Sequence, residues 1–245
     1  MILVFGGTTE GRKAMALLEQ AGLPYCYSTK TEVEIPMQVC GTYRHGALTP
    51  PALKEFCAAK NISVIVHASH PFASVLHQTI ADAGLPVLRF EREYPARTEH
   101  PLVHYFDSYD AALNYLCVHP VKKLLALTGV QTISQIEKYW RAHTTLFRIL
   151  PRESSLEQAL AAGCSREDLI MALPGNEAAL IASHGITGIL TKESGESGLL
   201  SVKIHEALQA GIPIFIIARP ALPEGFISVN EHDLLDHLKA YLVCH

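Results

Sequence analysis

Three times the chain carries the same punctuation: Ala21-Gly22-Leu23-Pro24, Ala83-Gly84-Leu85-Pro86 and Ala210-Gly211-Ile212-Pro213. In each, Gly fits the left-handed position that closes a helix, and the Pro two residues later blocks its continuation. A short apolar run follows every time. A chain that repeatedly stops a helix and starts a strand folds as alternating β and α elements, with parallel sheets wound through βαβ crossovers. Thr49-Pro50 is the matching start signal, a cap followed by Pro at the first helical position.

The apolar runs predict strands at Ile2–Phe5, Tyr25–Ser28, Val64–Ala68, Val87–Phe90, Val103–Phe106, Leu124–Thr128, Thr145–Ile149, Leu169–Leu173, Gly188–Thr191 and Pro213–Ala218. Helical patterns lie near 10–21, 50–60, 72–83, 108–117, 131–141, 154–162, 176–184 and 199–210. The polar, Pro-containing stretch from Glu93 to Pro101 breaks the rhythm near mid-chain and reads as a linker. The expectation is an α/β protein of two Rossmann-like lobes, 1–97 and 98–245, with mostly parallel sheets and a cleft between them. Ligands in open α/β sheets sit beyond the carboxyl ends of the strands, so the loops at those ends are where chemistry is sought.

Of the 245 residues, 49% are hydrophobic and 18% charged, enough apolar material for a substantial core. The net charge is −4 and no Lys/Arg run forms a nucleic-acid footprint. The longest apolar stretches are strand-sized, short of the ~20 residues a membrane helix needs. Met1 leads directly into Ile2-Leu3-Val4-Phe5, with no charged segment ahead of a long apolar one. A soluble cytoplasmic protein, monomer or homodimer, is expected. None of Cys26, Cys40, Cys57, Cys117, Cys164 and Cys244 forms a C-x-x-C pair, which argues against a zinc or thioredoxin-type motif and for buried thiols without a catalytic role.

The clearest chemical signal is the opening segment, where the strand Ile2–Phe5 runs into Gly6-Gly7-Thr8-Thr9-Glu10-Gly11 and a helix follows. That arrangement aims backbone N–H groups and a helix dipole at a phosphate. The spacing is not G-x-G-x-x-G, and a tight turn without a ligand is the alternative. The second strand ends in Ser28-Thr29-Lys30, where two hydroxyls and an ammonium suit a ribose 2′-phosphate and hence NADPH. A solvated loop lysine is the alternative there, and Glu32 and Glu34 lie close by. After the strand at Val64 comes His67-Ala68-Ser69-His70-Pro71. This His-x-x-His pair lacks further ligands at metal spacing, so no metal is expected, and His70 is free to meet cofactor or substrate or to cap a helix.

Arg89 and Arg92, with Glu91 between them, could clamp carboxylates in fork geometry or form a surface ladder. Thr191-Lys192-Glu193-Ser194-Gly195, followed by a helix carrying Lys203, repeats the strand–turn–helix pattern and reads as a second anion site or a plain turn. Leu127-Thr128-Gly129 and Arg148-Ile149-Leu150-Pro151-Arg152 are weaker members of that class.

The ordered set of Gly6-Gly7-Thr8-Thr9-Glu10-Gly11, His67-Ala68-Ser69-His70-Pro71-Phe72-Ala73, Arg89-Phe90-Glu91-Arg92, Leu127-Thr128-Gly129, Thr191-Lys192-Glu193-Ser194-Gly195 with Lys203, and Ala218-Arg219-Pro220 resembles the precorrin-6A and cobalt-precorrin-6A reductases. The likeness spans nearly the whole chain. It implies a two-lobed reductase of cobalamin biosynthesis that uses NADPH to saturate one double bond of a polycarboxylate tetrapyrrole. It also implies that Gly6, Gly7, Thr8 and Glu10 belong to the cofactor turn and that His70, Lys192 and Ser194 face the cleft. Thr9, Gly11, Ser28, Thr29, Lys30 and His70 complete the expected cofactor contacts. Arg89, Arg92, Lys192, Ser194, Gly195 and Lys203 are the expected substrate contacts, and His70, Tyr94 and Lys192 the candidate proton donors. His67 stands where the family usually has an acid, Tyr94 where it often has Trp, and Ala172-Leu173-Pro174-Gly175 where it usually has Met-Gly. The alternatives are an NADP-linked reductase of another polyanion, or a nucleotide-sensing module without turnover.

Overall fold

The computed structural model describes residues 1–242. The chain divides into two compact units: Met1–Arg92 with the segment from Pro220 onward, and Glu93–Arg219. The first crossing falls close to the expected linker. The second was not expected: the chain leaves unit 2 at Arg219 and its last residues complete unit 1 rather than ending a lobe of 98–245.

Unit 1 contains β1 (Ile2–Phe5), α1 (Thr9–Gln20), β2 (Tyr25–Thr29), β3 (Gly41–His45), α2 (Pro50–Ala59), β4 (Val64–His67), α3 (Ser74–Ala81) and β5 (Val87–Phe90). Unit 2 contains β6 (Val103–Phe106), α4 (Tyr109–Val118), β7 (Leu124–Ala126), α5 (Glu137–Trp140), β8 (Thr145–Ile149), α6 (Glu153–Ala161), β9 (Leu169–Met171), α7 (Glu177–His184), β10 (Gly188–Lys192), α8 (Leu200–Gln209) and β11 (Ile214–Ile217). The returning segment adds β12 (Phe226–Val229) and α9 (Leu234–Leu242) to unit 1.

Each unit holds a six-stranded sheet, ordered β12-β5-β4-β1-β2-β3 in unit 1 and β6-β11-β10-β7-β8-β9 in unit 2. All pairings are parallel. Unit 1 thus has the doubly wound dinucleotide-binding order, with β12 as its sixth strand. The winding direction reverses between β1 and β4 in unit 1, and between β7 and β10 in unit 2. Those are the switch points at which such sheets bind ligands.

Parallel strands covered on both faces are apolar throughout. In β1, Ile2 and Val4 face a core with α1 and α9, while Leu3 and Phe5 face one with Leu53, Cys57 and Ile80. In unit 2, Leu125, Ile189 and Ile216 pack under Leu180, Ile181, Leu200 and Ile204 of α7 and α8. Where a helix over 131–141 was expected, two 3-10 turns precede the four-residue α5. The Thr132 hydroxyl donates to Gly129 O at 2.7 Å and lies 2.7 Å from the Thr128 hydroxyl, a local competitor of helix formation. No described helix is long and apolar enough to cross a membrane. Cys26, Cys57 and Cys164 are buried free thiols as expected, whereas Cys40 is half-buried and Cys117 exposed; Cys244 lies outside the described residues.

Candidate functional site

At the unit 1 switch point the turn from β1 to α1 is fixed by three glycines for three reasons. A Cβ on Gly6 would fall 2.2 Å from the Tyr27 ring, one on Gly11 would fall 2.6 Å from Gly6 Cα, and Gly7 has φ +87°. The Gly7 amide donates to the Tyr27 hydroxyl at 2.9 Å. Thr8 caps α1 by accepting from the Gly11 amide at 3.0 Å, and its hydroxyl donates to Ala68 O at 2.6 Å. Thr8 therefore ties the β1 loop to the β4 loop across the switch point. A helix start leaves several amides without intrahelical partners, and Thr8 satisfies only that of Gly11. The amides around Thr8 and Thr9 thus offer donors to an anion.

Glu10 is not offered to a ligand in this geometry. Its carboxylate meets Arg92 Nε at 3.0 Å, with both side chains almost fully buried. Arg89 is 1% exposed and donates to His67 O at 3.3 Å and Ser69 O at 3.0 Å. Both guanidinium groups of the expected carboxylate clamp are thus engaged inside unit 1, Arg89 by carbonyls of the loop after β4 and Arg92 by the Glu10 carboxylate. His67 is fully buried and lies edge-on to His77 at 4.9 Å between ring centres. Burial, helped by Arg89 and each other's proximity, holds His67 well below the ordinary histidine range; burial and Arg89 bring His77 to about 4. The described residues hold no group of three His, Cys, Asp or Glu arranged for a metal. His70 Nδ1 accepts from the Phe72 amide at 3.2 Å, which assigns the ring proton to Nε2.

The end of β2 is more elaborate than the sequence indicates. Ser28 and Thr29 are buried and Lys30 is exposed. Arg44, from the unpredicted strand β3, donates through Nη1 to the Ser28 hydroxyl at 2.6 Å and through Nη2 to His45 O and Gly46 O. The Thr29 hydroxyl is engaged by Thr31 O and the Tyr43 hydroxyl. Arg44 and Tyr27 are the residues that sequence reasoning missed here. An arginine beside the second strand is the available signal, but β3 has no apolar alternation to announce it.

In unit 2 the β10–α8 turn has Gly195 at φ +71° and Leu199 at φ +57°. The Ser194 amide donates to Lys192 O, and the Glu196 amide to Glu93 O. Glu193 is held by Arg97 at 3.1 Å and by the Arg219 amide at 3.0 Å, while the Arg219 guanidinium stacks on Tyr94 at 3.5 Å. Lys192 is half-buried at the strand end and Ser194 is buried. Lys203, in the first turn of α8, is buried and donates to Gly198 O at 2.6 Å. Arg148 at the end of β8 meets Glu177 at 2.6 Å, both buried. The structure therefore brings Lys192, Ser194, Gly195 and Lys203 together on one β–α connection. Tyr94 is on the segment that enters the same unit, and His70, Arg89 and Arg92 belong to unit 1.

The family model described as "Precorrin-6x reductase CbiJ/CobK" matches residues 1–239. A protein of Synechocystis sp. named cobalt-precorrin-6A reductase is 32% identical, over 93% of this chain and 91% of its own. One of Rhodococcus erythropolis named precorrin-6A reductase is 30% identical, over 94% of this chain and 93% of its own. A solved structure named CobK precorrin-6A reductase matches with a TM-score of 0.79 at 22% identity, covering 98% of this chain and 96% of that one, and so shares its fold. With a match that leaves out only the last few residues, the chain belongs to the precorrin-6x reductase CbiJ/CobK family.

Proposed function

We propose that the chain is a soluble cytoplasmic oxidoreductase that reduces one ring carbon–carbon double bond of precorrin-6A or cobalt-precorrin-6A in cobalamin biosynthesis. NADPH, once bound, supplies a hydride to one carbon and leaves as NADP⁺, while a proton goes to the neighbouring carbon. The observation that carries the reading is the glycine turn at the unit 1 switch point, latched to the β4 loop by Thr8. Its amides and the start of α1 suit the pyrophosphate of a dinucleotide. Ser28, Arg44 and the exposed Lys30 suit a 2′-phosphate. In unit 2, Lys192 and Lys203 suit substrate carboxylates.

His70, Tyr94 and Lys192 are the candidate donors of the proton. The test is anaerobic incubation of the protein with NADPH and either macrocycle, following the nicotinamide absorbance and the macrocycle spectrum together. One NADPH oxidised per macrocycle is expected. Binding of NADPH without oxidation by either macrocycle would favour a nucleotide sensor, and oxidation only with another polyanion would change the substrate.

A further inference from the structure

Beneath α7 and α8, at the carboxyl end of the unit 2 sheet, buried donors outnumber acceptors. Side chains alternate along a strand, so Thr191 shares a sheet face with Ile189, and Arg148 shares one with Leu146. Ile189 and Leu146 both pack against the cluster that includes Leu200 and Ile204 of α8, which places Arg148 and Thr191 on the α7/α8 side. Lys203 is on the first turn of α8. Arg148, Thr191, Lys203 and Glu177 are all buried.

Glu177 is fully used: Oε1 takes Arg148 Nη1 at 2.6 Å and Oε2 takes the Gly175 amide at 2.9 Å. An ammonium carries three donors, and among the described residues Lys203 reaches one acceptor, Gly198 O. The Thr191 hydroxyl is fully buried with no hydrogen-bond partner among the described residues. Two buried cations thus share one carboxylate, and an oxyanion would supply both the missing charge and the missing acceptors. Burial and the nearby charge of Arg148 and Lys192, opposed by Glu177, bring Lys203 down to about 8, so its ammonium gains from an added anion.

We propose that Arg148, Lys203 and Thr191 form an oxyanion subsite that receives one side-chain carboxylate of the substrate, with Glu177 positioning Arg148 rather than touching the ligand. The proposal deepens the reading of the chain as acting on a polycarboxylated macrocycle, and rests on it for the source of the carboxylate. The same chemistry would accept free inorganic phosphate or acetate.

Thr191→Val and Lys203→Met decide it, each measured for thermal midpoint, macrocycle KM and NADPH affinity. A hydroxyl without a partner has no structural role, so Thr191→Val is expected to keep or raise the midpoint while raising KM about three- to tenfold. Lys203→Met is expected to raise KM about ten- to a hundredfold, with NADPH affinity within about threefold of the parent. Replacing chloride by acetate or phosphate at constant ionic strength should raise the midpoint of the parent and not that of Lys203→Met. A midpoint lowered by many degrees in Thr191→Val, or an unchanged KM in both variants, overturns the proposal. An oxyanion-dependent midpoint with unchanged KM would assign the subsite to a free anion instead of the substrate. Should the parent protein fail to turn over either macrocycle, the reductase reading falls, and the acetate and phosphate arm alone decides whether the subsite stands.

Discussion

In unit 1, Arg92 meets Glu10 at 3.0 Å; in unit 2, Arg148 meets Glu177 at 2.6 Å. Both pairs are buried and each lies near the carboxyl end of its sheet, yet their surroundings differ. Around the first, charge is matched or suppressed: Arg89 has Glu91 at 3.7 Å, and His67 and His77 are kept neutral. Around the second, Lys203 adds a cation without adding a carboxylate. Unit 1 presents neutral backbone donors at its switch point, whereas unit 2 presents side-chain cations. A dinucleotide's pyrophosphate suits the former and a substrate's carboxylates the latter, so the contrast is what a division of labour between cofactor and substrate would need.

The largest expected effect tests the closed pair. Arg92→Met removes the buried counter-charge that meets Glu10 and should cost about 3–5 kcal/mol in a denaturant titration. Arg148→Met should cost less, on the order of 1–2 kcal/mol, because Lys203 remains as a counter-charge for Glu177. Equal losses would erase the distinction between the two pairs.

The next effect separates the units by pH. His77 is neutral in the fold and, with its value brought to about 4, it binds fewer protons than in the unfolded chain between there and its ordinary 6.5. Its contribution to stability is therefore full above about pH 6.5 and lost as pH falls toward 4, on the order of 1–3 kcal/mol. Lys203 acts at the other end: the unfolded chain holds its proton up to about 10.5 while the fold releases it near 8, so stability attributable to Lys203 rises between those values. Stability curves of His77→Phe and Lys203→Met against the parent would check both. A His77→Phe variant as acid-sensitive as the parent would remove the histidine from the account.

A third test concerns the cation of unit 1 that borders the β2 hydroxyls. Arg44→Ala should weaken NADPH binding about ten- to a hundredfold, or roughly 1.5–3 kcal/mol, with NADH affected less than threefold. Equal losses for both nucleotides would assign Arg44 to the framework of β2 and β3. The smallest effect is at the helix cap. Thr8→Ala loses the Gly11 cap and the latch to Ala68, and should cost about 1 kcal/mol in stability. A thermal midpoint equal to the parent's would show that the glycines alone hold the turn.

Much of this was legible in the chain because both sheets are parallel and buried, so strands such as β1, β4, β8 and β10 appear as apolar runs between turn signals. What escaped was non-local. Edge strand β3 reads Gly41-Thr42-Tyr43-Arg44-His45, with no apolar alternation, and is defined by its pairing with β2. With β3 went Arg44. Strand β12 joins β5 across the whole of unit 2, and no local pattern announces which sheet a late strand completes. The same holds for charges. Glu10 and Arg92 read as ligand groups in isolation, but they meet each other, 82 positions apart in sequence. The cationic residues Lys192 and Lys203 were readable because a single turn and helix carry them, whereas Glu177 and the hydroxyl of Thr191 gain meaning only under packed helices.

The return of the chain to unit 1 sets an order of birth. Unit 2 is contiguous, Glu93–Arg219, and all its strands have been synthesised before β12 and α9 exist. Leu234 and Leu238 of α9 are fully buried in one core with residues of β1, β4 and α1, and β12 is the sixth strand, so the unit 1 sheet stays incomplete until residues 226–242 have been made. A released chain ending at Arg219 would therefore hold every strand of unit 2 but an incomplete unit 1 sheet, with an apolar face awaiting its cover. Unit 1, proposed above to hold the cofactor, would be completed after unit 2, although β1 precedes every strand of unit 2.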